Sequence, residues 1–245
     1  MKFIVVIPAR YKSTRLPGKP LIEICGLPMI VRTYRQCIKV VSPQLVYVAT
    51  DDHKIAEVCD LYGIQYMMTS SDCLTGTDRV FEVSKSVDAD CYINVQGDEP
   101  LFNPRDITLL IESAKKYPSD IINGFCEIDE EEKFRSLSIP KVVLRPDGRL
   151  LYMSRGAIPS NKEDTFISAK RQVCAYAFPK DALRDFANAR NKTFLEGVED
   201  IEILRFLELG FDIRMIEMSN YSVSIDTPLD IIVVEEELRK LRAGL

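Results

Sequence analysis

The sequence holds a single histidine, His53, and no Cys-x-x-Cys pair among its seven cysteines. The thiols at Cys25, Cys37, Cys59, Cys73, Cys91, Cys126 and Cys174 are scattered without disulfide-like spacing. They fit reduced, mostly core cysteines of a cytoplasmic protein. A nucleophilic cysteine needs a neighbour that stabilises its thiolate, and His53 shares no local motif with any of them. Long apolar runs are missing as well. Stretches such as Phe3–Ile7 fall far short of the roughly 20 residues that a membrane-spanning helix requires. The N-terminus does not read as a secretion signal, because Pro8 and Arg10 break its apolar start and no small-residue cleavage site follows. No broad excess of basic residues exists either: a net charge of −5 and a pI of about 5.2 argue against a general nucleic-acid binder. Neither G-x-x-x-x-G-K-[ST] nor G-x-G-x-x-G occurs, which weakens P-loop ATPase, kinase and nicotinamide-dehydrogenase readings.

What remains is ordinary for a folded protein, 46% hydrophobic and 28% charged. Short β-branched runs alternate with segments of helical periodicity in the first half, the pattern of βαβ units around a mostly parallel sheet. Strands are expected at Phe3–Ile7, Leu45–Thr50, Gln65–Thr69 and Cys91–Val95. Helices are expected at Pro28–Val40, Gly76–Val87 and Pro104–Lys116, the last with Pro104 in its first turn. The acidic run Asp129–Lys133 reads as a solvated helix face. Lys141–Leu144 and Leu150–Met153 flank an Asp147-Gly148 hairpin signal, where the sheet turns antiparallel. A strand at Gln172–Phe178, a helix at Val198–Leu209, a strand at Ile213–Met218 and a closing helix at Pro228–Leu241 complete the chain. The fold class is α/β, a mixed, mostly parallel central sheet flanked by helices. With no repeat or low-complexity linker, residues 1–245 read as one domain with an inserted subregion near 130–190.

The strongest chemical signal follows the first strand. Pro8-Ala9-Arg10-Tyr11-Lys12-Ser13-Thr14-Arg15-Leu16-Pro17-Gly18-Lys19 places four cations within ten residues. A loop leaving the C-terminal end of a parallel strand sits where α/β proteins bind ligands, so Arg10, Arg15 and Lys19 are natural triphosphate partners. Asn94-Val95-Gln96-Gly97-Asp98-Glu99-Pro100 ends the central strand. A carboxylate there suits Mg²⁺, which takes one or two protein carboxylates and completes its shell with water and phosphate, with Asp98 the first choice and Glu99 the second. Ile225-Asp226-Thr227-Pro228 reads by itself as a helix N-cap; Asp226 gains a second role if the fold brings it to Asp98. Thr75-Gly76-Thr77-Asp78-Arg79 opens a helix, where capping and the binding of a base or phosphate are compatible.

These segments, with YVATDD and YMSRGAIP, resemble in order and spacing the 3-deoxy-manno-octulosonate (Kdo) cytidylyltransferases. The resemblance spans essentially the whole chain and implies a nucleotide-diphospho-sugar transferase-like, Rossmann-like fold. It implies transfer of CMP from CTP to a sugar acid with release of pyrophosphate, Mg²⁺ as cofactor, a homodimer, and a place in lipopolysaccharide or surface polysaccharide synthesis. By that resemblance Arg10, Arg15, Lys19 and Asp98 are catalytic. Pro8, Ala9, Thr50, Asp51, Thr75, Gly76, Thr77, Arg79 and Gln96 join the three cations at the nucleotide. Gln96, Arg155, Gln172, Tyr176 and Glu202 meet the acceptor, and Asp98 and Asp226 hold the metal.

Two positions depart from the family pattern. Gln172 stands where the family has a histidine that meets the sugar, and Ile203 replaces a glutamine beside Glu202. The expected acceptor is therefore Kdo or a Kdo-like ulosonic acid, with another acid, including a phosphonate, as the alternative. A non-catalytic CTP-binding regulator is the reading from a different class; it predicts binding without pyrophosphate release.

Overall fold

The computed structural model describes residues 1–13, 16–220 and 224–243. The strands are β1 (Phe3–Ala9), β2 (Glu23–Ile24), β3 (Leu27–Pro28), β4 (Val46–Thr50), β5 (Tyr66–Met68), β6 (Cys91–Val95), β7 (Ile121–Ile128), β8 (Lys141–Leu144), β9 (Leu150–Ser154), β10 (Ala169–Pro179) and β11 (Ile213–Glu217). The helices are α1 (Met29–Cys37), α2 (His53–Leu61), α3 (Gly76–Ser86), α4 (Pro104–Lys116), α5 (Glu131–Arg135), α6 (Lys180–Asn188), α7 (Phe194–Glu199), α8 (Ile203–Glu208) and α9 (Pro228–Ala243).

The main sheet runs β11-β7-β10-β6-β1-β4-β5, with β8 and β9 joined through β10. Within that row only β10 runs against its neighbours, so the sheet is mixed and mostly parallel. β1 is apolar at successive positions because both of its faces are covered. Val5 and Ile7 pack towards α1, α2 and α4. Ile4 and Val6 pack towards α3, α6 and α8. Each such side chain taken fully from water contributes roughly 1.5–3 kcal/mol.

Three differences from the sequence expectations have local causes. The helix expected at Val198–Leu209 is two helices, α7 and α8, because Asp200 takes a left-handed conformation (φ 51°) that turns the chain. β7 escapes sequence pattern because Asn123-Gly124 resembles a turn. Here Gly124 sits mid-strand, since a Cβ there would collide with the Met218 sulphur. β10 begins three residues before the expected Gln172 and carries a bulge between Val173 and Tyr176. The β8–β9 hairpin forms as expected, with Gly148 at φ 83° in its turn. Among the described residues no helix is long and apolar enough to cross a membrane, and all seven cysteines are free thiols.

Candidate active site

A cleft of about 1090 Å³ opens at the C-terminal ends of β1 and β6, the position where open α/β sheets receive ligands. Three segments far apart in sequence meet there. The loop after β1 is closed by the Gly18 N–H, which donates to the Tyr11 carbonyl at 2.9 Å. Gly18 has φ 68°, and a Cβ would press on the Tyr11 ring, so glycine fits both demands. The loop after β6 lies directly against it. A Cβ on Gly97 would stand 2.8 Å from the Pro8 carbonyl oxygen. The third segment precedes α9, where the Ile225 N–H donates to the Asp98 carbonyl at 3.0 Å.

That bond sets Asp226 beside Asp98. Lys19 Nζ donates to Asp98 Oδ2 at 2.5 Å and to Asp226 Oδ1 at 3.0 Å. Burial alone lowers the pKa of the Lys19 ammonium; Asp98, and then Asp226, outweigh it and hold the pKa above its ordinary value. The start of α9 is held not by the Asp226 side chain but by Asp230 in the first turn of the helix, whose Oδ2 accepts from the N–H groups of Asp226 and Thr227 and from the Thr227 hydroxyl. Two hard carboxylate donors therefore converge on one cation position. Mg²⁺ commonly takes only one or two protein carboxylates, so this donor pair fits it, and among the described residues no larger His/Cys/Asp/Glu cluster competes.

Pro8, Ala9, Arg10, Lys19, Thr75, Gly76, Arg79 and Gln96 all line the cleft. Thr50 and Thr77 are wholly buried behind it. Asp51 is held there by Arg79, whose guanidinium donates to Asp51 Oδ2 at 2.9 Å and to Thr69 Oγ1 at 2.6 Å. Arg15 lies outside the described residues. Thr75 caps α3 in a capping box with Asp78. His53 opens α2 on the exposed surface and does not line the cleft.

The far side of the cleft is built by β10 and the α7–α8 turn. Gln172, Cys174 and Tyr176 project from one face of β10. Glu202 Oε2 accepts from the Thr77 N–H at the start of α3 at 3.2 Å, a position where the helix dipole favours negative charge. Burial nevertheless raises the Glu202 pKa, against the opposing pull of hydrogen bonds from Thr77 and Thr75. Burial also pushes the Tyr176 phenol and the Cys174 thiol upward. Arg155 lines the cleft, yet its guanidinium donates to the carbonyls of Glu199, Leu137, Ser138 and Asp200. It thus clamps the rim. Ile203 is wholly buried in the apolar core and stands off the lining, so only Gln172 of the two altered positions faces the cleft.

Sequence reasoning missed several supporting residues. Lys141, fully buried, donates to the carbonyls of Ser136, Ile139 and Arg155 and fixes the 136–140 rim. Arg205 and Glu196 form a buried two-pronged pair at 2.6 and 2.7 Å, with the guanidinium carbon 3.7 Å from the Phe186 ring centre, and so set the α7–α8 turn. Asn123 lies beneath Gln172. Charged residues inside apolar patterns were the available signal, though on a strand end or helix they read first as solvated.

The comparisons with known proteins place the chain in a family. Residues 4–214 match the family model described as cytidylyltransferase. The 3-deoxy-manno-octulosonate cytidylyltransferase of Escherichia coli is 36% identical over 93% of this chain and 92% of its own length. That of Geobacter metallireducens is 39% identical over 99% of this chain and 100% of its own. A solved CMP:2-keto-3-deoxy-manno-octonic acid synthetase, in complex with CTP, superposes with a TM-score of 0.91 at 34% identity, covering 98% of this chain and 99% of that one. HddC from Yersinia pseudotuberculosis, with TM-score 0.69 and 18% identity, shares the fold. With its cleft, its paired carboxylates and its full-length likeness, the chain belongs to the cytidylyltransferase family, among the 3-deoxy-manno-octulosonate cytidylyltransferases.

Proposed function

We propose that this enzyme transfers the cytidylyl group of CTP to a sugar acid, 3-deoxy-manno-octulosonate or a close ulosonic acid, and releases pyrophosphate. The observation that carries the proposal is the convergence of Asp98 and Asp226 on the Lys19 ammonium between the basic loop and the β10 pocket. The relatives' named acceptor supports the choice of sugar acid.

The acceptor hydroxyl oxygen attacks the α-phosphorus of CTP in line as its proton passes to solvent, the bond from that phosphorus to the bridging oxygen breaks, and pyrophosphate departs. Positioning and charge neutralisation carry such a transfer. Arg10 and Lys19 face the phosphates, Arg15 joins them by the family resemblance alone, and Lys19 exchanges its carboxylate partners for phosphate oxygens as CTP enters. Asp98 and Asp226 would hold Mg²⁺. Bound there, the ion would supply charge neutralisation for the triphosphate and acidify a nearby hydroxyl. Thr75, Gly76, Arg79 and Gln96 line the nucleotide side, with Pro8 and Ala9 beneath it and Thr50, Asp51 and Thr77 supporting from behind. Gln172, Tyr176 and Glu202 contact the acceptor, while Arg155 turns its positive charge to the acceptor carboxylate and steadies the rim. The chain works as a cytoplasmic homodimer, residues 130–190 supplying much of the contact surface, and feeds surface polysaccharide assembly.

Phosphorus NMR of CTP, Mg²⁺, Kdo and enzyme tests the reading. Equal growth of a phosphodiester resonance and of pyrophosphate is expected. CTP binding with no new resonance, across Kdo, other ulosonic acids and phosphonates, favours the regulator instead.

A further inference from the structure

The bulge in β10 between Val173 and Tyr176 disturbs its ladder with β7. The carboxamide of Asn123, the β7 residue opposite Tyr176, fills the irregularity: its Nδ2 donates to the Val173 carbonyl and to the Ala175 carbonyl, each at 3.0 Å. Only an N–H can meet two carbonyl oxygens. The orientation of Asn123 is therefore fixed by the backbone, and its Oδ1 points the other way, towards Gln172.

Gln172 has then no choice of orientation either. Its Nε2 donates to Asn123 Oδ1 at 3.1 Å and lies 3.1 Å from the Tyr176 hydroxyl, which uses both amide hydrogens. Its Oε1 has a weak donor beside it, the Cys174 thiol at 3.9 Å. Gln172 is buried and lines the cleft, so the group it offers to a ligand is that carbonyl oxygen. The neighbouring charge has the same preference. Glu99, Asp98 and Glu202 are close enough for their carboxylates to act on the Cys174 thiol, and Glu99 itself is buried.

We propose that Asn123 is a positioning residue which locks Gln172 as a hydrogen-bond acceptor, so the site selects an acid carrying a donor, a hydroxyl or an ammonium, at that point of the pocket. The inference rests on the sugar-acid reading above and deepens it. A substrate group that can only accept, an ether or a carbonyl, meets Gln172 oxygen against oxygen. It has no route to a better match, because turning the amide would break the bond to Asn123.

Steady-state pyrophosphate release measures the selection, with Kdo and analogues altered at each non-anomeric hydroxyl in turn to hydrogen, to methyl ether and to amine. For the wild type, the deoxy and methyl-ether analogues at one position are expected to lose about 10–100-fold in kcat/KM, mainly through KM, as losing a buried hydrogen bond implies. The amine at that position is retained. In Gln172→Met the difference between hydroxyl, deoxy and ether at that position collapses to within about threefold, within the usual scatter of such contributions. In Asn123→Ala, if it folds, the methyl ether recovers because Gln172 is free to turn. Equal discrimination by wild type and Gln172→Met overturns the inference while leaving the cytidylyltransferase reading intact. Silence with every acid overturns that reading, and this inference with it.

Discussion

Ile225 donates its backbone N–H to the carbonyl of Asp98 across 3.0 Å, and this one bond aligns two segments that the sequence holds far apart. The carboxylates of Asp98 and Asp226 face the same ammonium as a result. A pair of acids so placed repel each other unless a cation lies between them. Lys19 fills that role in the free enzyme.

Neutralising either acid tests the pair. Asp98→Asn and Asp226→Asn are expected to lower kcat about 10²–10³-fold, the usual effect of removing one preorganised electrostatic contact. CTP affinity, read by calorimetry, changes less than about tenfold, because the basic loop remains. Unchanged turnover at saturating Mg²⁺ in both variants removes these residues from the reaction.

Gly97 supplies contact by lacking a side chain. Gly97→Ala puts a methyl group 2.8 Å from the Pro8 carbonyl oxygen, and neither backbone segment can yield without moving Asp98. A loss of about 1–3 kcal/mol in stability, the range for overpacking, is expected together with a fall in kcat. Urea unfolding and steady-state kinetics read the two effects; wild-type values in both contradict the close packing of the loops.

Glu202 gives the site a pH signature. Burial raises its folded pKa above the ordinary 4.5, so the folded state binds a proton more tightly than the unfolded state does. Stability from this group is full below that ordinary value and is lost as pH rises through the raised folded value. Glu202→Gln removes that part of the slope, and the drop in urea midpoint between about pH 5 and about pH 8 becomes smaller than in wild type. An identical drop in the two proteins contradicts the burial of the carboxylate.

Much of this was legible beforehand because it rests on local pattern. The C-terminal ends of β1 and β6 could be located from apolar runs followed by charged, glycine-bearing loops, and Cys91–Val95 is a strand with the bounds its sequence suggested. What escaped depends on long-range pairing. Asn123-Gly124 looks like a turn until Met218 and the β10 bulge are placed beside it. Asp226 looks like a helix cap until its carboxylate is seen on Lys19 and Asp230, in the first turn of α9, is seen to hold the helix start. Ile203 looks like an altered sugar contact until the left-handed Asp200 turns α8 and seats it in the core. Arg155 reads as a carboxylate fork, whereas the fold also commits its donors to rim carbonyls.

The central claim is that a sugar acid takes CMP from CTP at the paired aspartates, and the most direct test is pyrophosphate release measured with Kdo, Mg²⁺ and each of the four ribonucleoside triphosphates. The account predicts rapid release with CTP, loss of release on chelation of the metal, and a collapse of the rate in Asp98→Asn. Release that is equally fast with all four nucleotides, or that survives both chelation and Asp98→Asn, contradicts it.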